Sequence, residues 1–578
     1  MPNNYNIHRD QNGNITHIET DLTGVELLDN PRLNKDNAFT EEERKLFELE
    51  GKLPFQVNNI EQQSARIYEQ YKAKPTNIER NIHLNALHDS NETLFYHLVS
   101  QHLEEMLPII YTPTIGEAVE NFSLELRRRR GLYICYQDRD RMDEILANRA
   151  NQDLDLMVVT DGEGVLGIGD QGIGGMDISI GKLMVYVLCG GINPLKKLPI
   201  VLDVGTNNQQ LLNNPMYMGW RHARITGQEY DDFIGTFVES VQKHLPGTFL
   251  HWEDFGRDNA RKNLLRYRDE MLSFNDDMQG TGAITLSVIM TALHAAGRDL
   301  KDERIVFMGA GTAGTGIADQ IRDAIVRSGL STEEANKHFW LIDRPGLLID
   351  SMEGLTSSQE PYARPSDEIK NWKYEGKLPM LEEVVENVKP TILIGCSTAS
   401  NAFNENVVKT MAAHTKHPII MPLSNPTSKS EGHPANILNW SEGRALVATG
   451  SPYADVEYNG KKIRIGQCNN AFIFPGIGLA VIACKATRLS DDMLWAASLA
   501  LSSMCPAYND PTAPLLPDLS NIRGISRAVA IAVINQARKE GLSGISDDIT
   551  ADQAIDHVSW DPTYYPYKKM KQQTAEKE

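Results

Sequence analysis

The chain of 578 residues is poor in cysteine: it has six, Cys135, Cys189, Cys396, Cys468, Cys484 and Cys505, and no C-x-x-C pair among them. Most lie in apolar or glycine-rich surroundings, as buried free thiols do, which excludes a disulfide framework and implies a reducing compartment. No apolar run approaches about 18 residues, and Met1 to Asp10 lacks the charged-then-apolar layout of a signal peptide. The expectation is therefore a cytoplasmic protein that neither spans a membrane nor is exported. Positive charge is also scarce: 57 Lys and Arg stand against 77 Asp and Glu, a net charge of -20 that repels nucleic acid and anionic membranes. The one basic run, Arg127 to Arg130, follows Leu124-Glu125-Leu126 and reads as a solvated or subunit-facing helix end, with an anion site as the alternative. Low-complexity segments and internal repeats are absent as well.

What is present is an ordinary globular composition, 41% hydrophobic and 23% charged, in a chain too long for one core, so at least two domains are expected. From about Thr40 to Arg130 the spacing is helical, with Thr40 capping a start at Glu41 to Glu43 and Leu94, His97, Leu98 and His102 at three- and four-residue intervals. Apolar runs at Leu156 to Thr160, Pro199 to Asp203 and Phe249 to Trp252 then read as strands, with a helix carrying Phe233, Phe237, Val241 and Leu245 between them. A second block has candidate strands at Ile305 to Met308, Phe339 to Asp343, Thr391 to Gly395, Ile419 to Leu423 and Ala445 to Thr449. Their continuous apolar character suits a parallel sheet covered on both faces, and the class is α/β. A Pro-rich loop from Pro506 to Pro517 precedes a helix from about Ile525 to Ala537, and the Lys/Gln/Glu-rich end reads as a mobile tail.

Gly309-Ala310-Gly311-Thr312-Ala313-Gly314 follows a strand and opens a helix-like stretch, Ala318 to Val326, the context a dinucleotide fingerprint requires. Gly309 permits the tight turn, Gly311 lets backbone approach a pyrophosphate, and Gly314 lets the helix sit close to the sheet. Asp343, ending the next strand, is the candidate partner of the ribose hydroxyls; Arg344 beside it could meet a 2′-phosphate, so the pair leaves NAD and NADP open. The plain alternative is a glycine-rich turn without nucleotide.

Two acid pairs end elements: Glu253-Asp254 after Phe249 to Trp252, and Asp276-Asp277 ahead of an apolar helix. Carboxylates brought together need a cation, and hard oxygen donors select Mg²⁺ or Mn²⁺; singly, each pair would more often be a cap or a solvated turn. Neighbours on a strand face opposite ways, so Glu253 and Asp254 can share an ion only if the backbone turns there. Lys182, after the cluster Gly167, Gly169, Gly172, Gly174, Gly175 and Gly181, could be an ordinary helix-terminal lysine. Beside a cation and partly desolvated, it would instead have its pKa lowered toward neutrality and act as a general base. Tyr111 could be a core tyrosine or an acid, and Asn425 a plain Asx turn or a ligand contact.

These motifs together resemble the malic enzymes, with malolactic enzymes as close relatives, over about Leu33 to Tyr565. The resemblance rests on Tyr111-Thr112-Pro113-Thr114, Thr160-Asp161-Gly162-Glu163, the glycine-rich stretch to Lys182, Asp203-Val204-Gly205-Thr206-Asn207, Glu253-Asp254-Phe255, Phe274-Asn275-Asp276-Asp277, Ser424-Asn425-Pro426-Thr427 and Asn469-Asn470 through Pro475-Gly476. It implies Glu253, Asp254 and Asp277 as metal ligands and Lys182 as the base for the malate hydroxyl, with Asp276 as its partner. Tyr111 would be the acid that protonates C3, and Asn425 and Asn470 would contact substrate carboxylates. The implied reaction is oxidation of L-malate to oxaloacetate with hydride passing to the nicotinamide, then loss of the C4 carboxylate as CO₂ to give pyruvate, with Mg²⁺ or Mn²⁺ as Lewis acid.

The family pattern also implies a Rossmann-type NAD-binding domain inserted in the substrate domain: a helical region 1–130, a substrate and metal domain 131–278 continued by 466–540, a nucleotide domain 279–465 and a C-terminal extension 541–578. A homotetramer or dimer is implied too. Gln359, ahead of Glu360-Pro361, resembles the NAD-using members. Gly164 departs from the many malic enzymes that carry arginine after Asp-Gly-Glu. With His251-Trp252-Glu253-Asp254-Phe255-Gly256 and Asp177 it leans toward a malolactic enzyme, which holds NAD and releases lactate; Tyr111-Thr112-Pro113-Thr114 and Asp170-Gln171-Gly172 lean toward a malic enzyme. A nucleotide-binding protein without catalysis on this fold is the reading of another class.

Overall fold

The computed structural model describes residues 5–11, 13–125, 127–149, 151–165 and 167–570. Two parallel-dominated sheets organise the chain, as the apolar runs predict. The first has five parallel strands in the order Leu132–Cys135, Lys197–Asp203, Leu156–Thr160, Phe249–Trp252 and Ser273–Asn275. The second has seven, in the order Gly346–Leu347, Phe339–Asp343, Ile305–Met308, Ile392–Gly395, Ile419–Pro422, Leu446–Thr449 and Gly466–Gln467; only the pairing of the first two is antiparallel. From Ile305–Met308 the chain steps outward to Phe339–Asp343, then crosses back to Ile392–Gly395. The strand order reverses between these neighbours, and a crevice at their carboxyl ends is where such sheets take ligands.

The helix Met176–Gly190 is buried along nearly its whole length. It is part of the one helical stretch among the described residues, Gly172–Gly190, long and apolar enough to cross a membrane, and that stretch is 94% buried inside the protein. Helices fill residues 41–120 as the spacing predicts, and Thr40 and Glu43 cap the Glu41–Leu46 helix reciprocally.

Two expectations are corrected. The N-terminal region is not helical throughout: Tyr5–Arg9 and Ile15–Thr20 form an antiparallel hairpin, and Tyr567–Lys569 adds to it in parallel. Period-two alternation, with Ile18 and Thr20 turned inward and His17 and Glu19 outward, decides for strand. The mobile-tail expectation covers 571–578, outside the described residues, but the segment before it is pinned in this sheet. Finally, Asn121–Glu125 forms turns rather than a helix end, and Leu126 lies outside the described residues. Arg127 then pairs with Glu125 and with Asp177, 3.1 Å away, and Arg130 pairs with Asp89. Two of the four arginines are thus spent on carboxylates, while Arg128 donates to the backbone carbonyls of Asp29 and Asp89.

Asp177, at the start of the Met176–Gly190 helix, has its pKa pushed up to about 6 by burial, which outweighs the Arg127 guanidinium. The folded chain therefore holds a proton that the unfolded chain has released, so the carboxylate costs stability above pH 6 and not below about pH 4. Asp177→Asn is expected to be more stable than the parent at pH 8, by an amount on the order of 2 kcal/mol, with the advantage shrinking toward zero at pH 4. Paired thermal melts across that range measure it; a pH-independent difference would contradict the assignment.

Candidate active site

The strand Phe249–Trp252 runs into Glu253 and Asp254, and Asp254 takes a left-handed backbone, φ +55°. The chain turns at the point where the two carboxylates must come to one side. The neighbouring strand Ser273–Asn275 leads into a single wide turn of helix, Asp276–Gly280. The Asp254 amide N–H donates to Asp277 Oδ2 at 2.8 Å, and carboxylate oxygens of Glu253, Asp254 and Asp277, all buried, lie within 4.8 Å of one another. Burial pushes the Glu253 carboxyl up to about 7, against the pull of Lys182. Burial and the Glu253 charge raise Asp277 well above the carboxylate range. Three buried carboxylates of hard oxygen, two of them held back from ionising, are the donor set a small divalent cation fits.

Lys182 lies mid-helix, not at a helix end, and its Nζ is 3.0 Å from Glu253 Oε1 and in contact with Asp276 Oδ2. The expected fall in its pKa belongs to the site with a cation bound, and the protein groups alone set the balance that follows. Burial does act to lower it, but the carboxylates of Asp276 and Glu253 outweigh burial and hold the amine well above its ordinary value. Nζ also lies 5.4 Å from the Tyr111 ring centroid and 4.7 Å from that of Phe474. Tyr111 is half-buried, and its hydroxyl is raised by burial, with Lys182 opposing. Asn470 Nδ2 donates to Asp276 Oδ2 at 2.8 Å and to Thr281 Oγ1 at 2.9 Å, so it fixes Asp276.

Sequence reading missed His251. Its Nε2 is 2.6 Å from Glu253 Oε2 and its Nδ1 is 2.7 Å from Tyr186 Oη. Burial drives its pKa down to about 3, so the ring is neutral. When Glu253 is ionised it only accepts, so Nε2 is then the donor and Tyr186 donates to Nδ1. The signal was available: residues 251 and 253 share one face of a strand.

The glycines form a second cluster. Gly309 ends its strand at φ +108°, where a Cβ would come 2.5 Å from Cys396 backbone, and at Gly314 a Cβ would collide with the Gly309 carbonyl. Open space lies beside Gly311 at the start of the Thr312–Arg327 helix, the cradle a pyrophosphate fits. Asp343 Oδ2 accepts from Gln359 Nε2 at 2.9 Å, and the same amide group donates to Ala310 O at 3.0 Å. Arg344 is exposed. The two clusters are tied together, since Arg257 Nη2 donates to Ala310 O at 2.7 Å and Gln320 Nε2 to Gln279 O at 2.7 Å.

Asn425 follows the strand Ile419–Pro422; its Oδ1 accepts from Ser451 Oγ, leaving Nδ2 as its donor, and its backbone packs on Gly167 of the glycine-rich loop. No hydrogen bond joins it to the carboxylates among the described residues. Gly164 has a packing reason: its N–H donates to Asp254 O at 2.9 Å, and a Cβ there would lie 2.6 Å from Phe255 O. An arginine at this position would push the loop off the strand end that carries Glu253 and Asp254.

Residues 88–268 match the family description "Malic enzyme, N-terminal domain" and residues 278–538 match "Malic enzyme, NAD binding domain". The chain belongs to the malic enzyme family. The NAD-dependent malic enzyme of Sodalis glossinidius is 49% identical over 546 residues, 94% of this chain and 97% of that protein. NAD-dependent malic enzyme 3 of Bacillus subtilis is 49% identical over 558 residues, 96% and 98%. The crystal structure of Entamoeba histolytica malic enzyme shares the fold at TM-score 0.53 and 23% identity, covering 89% of this chain and 90% of that one.

Proposed function

We propose that this chain oxidises L-malate and decarboxylates it to pyruvate and CO₂ while reducing NAD⁺ to NADH. The observation that carries the reading is Lys182, held between Glu253 and Asp276 at the edge of a buried three-carboxylate cluster. Near full-length likeness to enzymes described as NAD-dependent supports it. Glu253, Asp254 and Asp277 would hold Mg²⁺ or Mn²⁺, which when bound supplies Lewis acidity to the C2 hydroxyl and C1 carboxylate of malate. Asp276, in contact with Lys182, would take the amine's extra proton. Nζ then receives the proton of the C2 hydroxyl. Tyr111 keeps its proton because burial raises its pKa, and it delivers that proton at C3. Asn470 positions Asp276, and Asn425 presents Nδ2 to a substrate carboxylate. Gly309, Gly311 and Gly314 take the pyrophosphate of NAD, and Asp343, oriented by Gln359, takes the ribose hydroxyls.

The domain division given above belongs to this proposal. Its support is the helix Phe474–Ala483, which returns from the second sheet to pack on Met176–Gly190, where a Cβ on Gly190 would come 2.9 Å from Pro475 O. A homo-oligomer is part of it too, as is a cytoplasmic location. The test is absorbance at 340 nm with L-malate, Mn²⁺ and NAD⁺ or NADP⁺, followed by assay for pyruvate and lactate. NADH in step with pyruvate is expected. Lactate without free NADH would make it a malolactic enzyme, the reading Gly164 favours, and neither product would leave a non-catalytic nucleotide binder.

A further inference from the structure

The helix Met176–Gly190 and the strand Phe249–Trp252 meet at one carboxylate, that of Glu253. Lys182 and Tyr186 lie four residues apart on the helix, so their side chains leave the same face. His251 and Glu253 lie two residues apart at the end of the strand, and they too share a face. These faces meet. Lys182 Nζ is 3.0 Å from Glu253 Oε1, while Tyr186 Oη is 2.7 Å from His251 Nδ1 and His251 Nε2 is 2.6 Å from Glu253 Oε2. One helix face thus reaches both oxygens of Glu253, one directly and the other through an imidazole.

This linkage is enclosed. His251 and Tyr186 are both fully buried, and the rings of Tyr186, Phe274 and Phe474 stand edge-on to the imidazole, with centroids 5.6, 5.3 and 5.9 Å away. The Tyr186 ring occupies room left by Gly478, where a Cβ would come 2.5 Å from Cε1. An apolar side chain would suit such surroundings better than an imidazole does. The two hydrogen bonds at its ends are what packing leaves unexplained. With Glu253 ionised, the tyrosine hydroxyl occupies Nδ1 and keeps the ring hydrogen on Nε2, aimed at the carboxylate.

We infer that His251 and Tyr186 are positioning residues: through Nε2 they hold Glu253 in place beside Asp254 and Asp277, and so raise the affinity of the three-carboxylate cluster for a divalent cation. The inference rests on the reading of that cluster as a metal site. Lys182 is unsuited to the same task, because its ammonium repels a cation and its amine is reserved for the proton of the substrate hydroxyl. A neutral imidazole holds the carboxylate without opposing the ion. Hydrogen bonds of this outer kind fix the orientation of a ligating carboxylate, and here the second link, Tyr186, fixes the orientation of the first.

The test titrates the full chain, stripped with EDTA, with Mn²⁺ alone, counting free ion by electron paramagnetic resonance; NAD⁺ affinity, which depends on the other cluster, checks that each variant is folded. His251→Leu suits the aromatic surroundings but donates nothing, and its Mn²⁺ affinity is expected to fall about 10–100-fold. His251→Gln, whose amide nitrogen can stand where Nε2 stood, is expected to recover most of that loss, which a role in packing alone would not give. Tyr186→Phe should lose less than His251→Leu, and nothing further in the His251→Gln background, where no Nδ1 receives the hydroxyl. Parent-like affinity in His251→Leu, or a His251→Gln as weak as His251→Leu, would overturn the positioning role and leave the metal site standing. A parent chain that binds no Mn²⁺ would overturn both.

Discussion

Lys182→Ala is expected to lower kcat for malate oxidation by about 10²–10⁴-fold, with the affinity for NAD within about twofold of the parent, because the nucleotide is held from the other cluster. The same change has a second consequence. Lys182 is the only cation in contact with Glu253 and Asp276 among the described residues, so removing it strands buried charge, a loss of about 3–5 kcal/mol. That loss should be large in EDTA and largely reversed by Mn²⁺, which replaces the missing charge. Turnover at saturating Mn²⁺ therefore separates the chemical role from the structural one. Parent-like turnover there would remove Lys182 from the mechanism.

Asp277→Asn should act on activity and stability in opposite directions. The asparagine oxygen can still accept the Asp254 amide N–H, so the local backbone is kept, but one of three mutually repelling buried carboxylates is gone. The EDTA-treated variant is expected to melt higher than the EDTA-treated parent. Mn²⁺ should no longer raise its melting temperature, its Mn²⁺ affinity should fall by at least about 100-fold, and malate turnover should fall with it. Calorimetric titration with Mn²⁺ checks the first link; an affinity equal to the parent's would take Asp277 out of the ligand set.

Much of this architecture was legible because buried parallel strands leave unbroken apolar runs. Ile305–Met308 and Phe339–Asp343 have the predicted ends, and the glycines between them sit where a strand-to-helix turn needs them. The condition attached to Glu253 and Asp254, that the backbone must turn, is met by a single positive φ that no residue type announces. The hairpin escaped notice because its strands are short and mostly polar, and its third strand comes from the far end of the chain. The rise in Lys182 pKa was illegible for a different reason: it comes from the carboxylates of Asp276 and Glu253 and the Tyr111 hydroxyl, on three segments that only folding brings within reach. His251 could have been read from its spacing to Glu253, but its partner Tyr186 lies on another element.

The terminal sheet also sets a schedule for synthesis. Ile18 pairs with Tyr567, 549 residues later by subtraction of the two positions. At about 5–20 residues per second, the hairpin exists for roughly half a minute to two minutes before its third strand has been made. Through that interval one edge of Ile15–Thr20 is open to other nascent chains, and the charged and polar residues along it, His17 and Glu19 among them, are what keeps an unpaired edge from recruiting a stranger. Tyr567–Lys569 thus closes a sheet whose other two strands are made long before it, and a chain that stops short of it keeps that edge exposed.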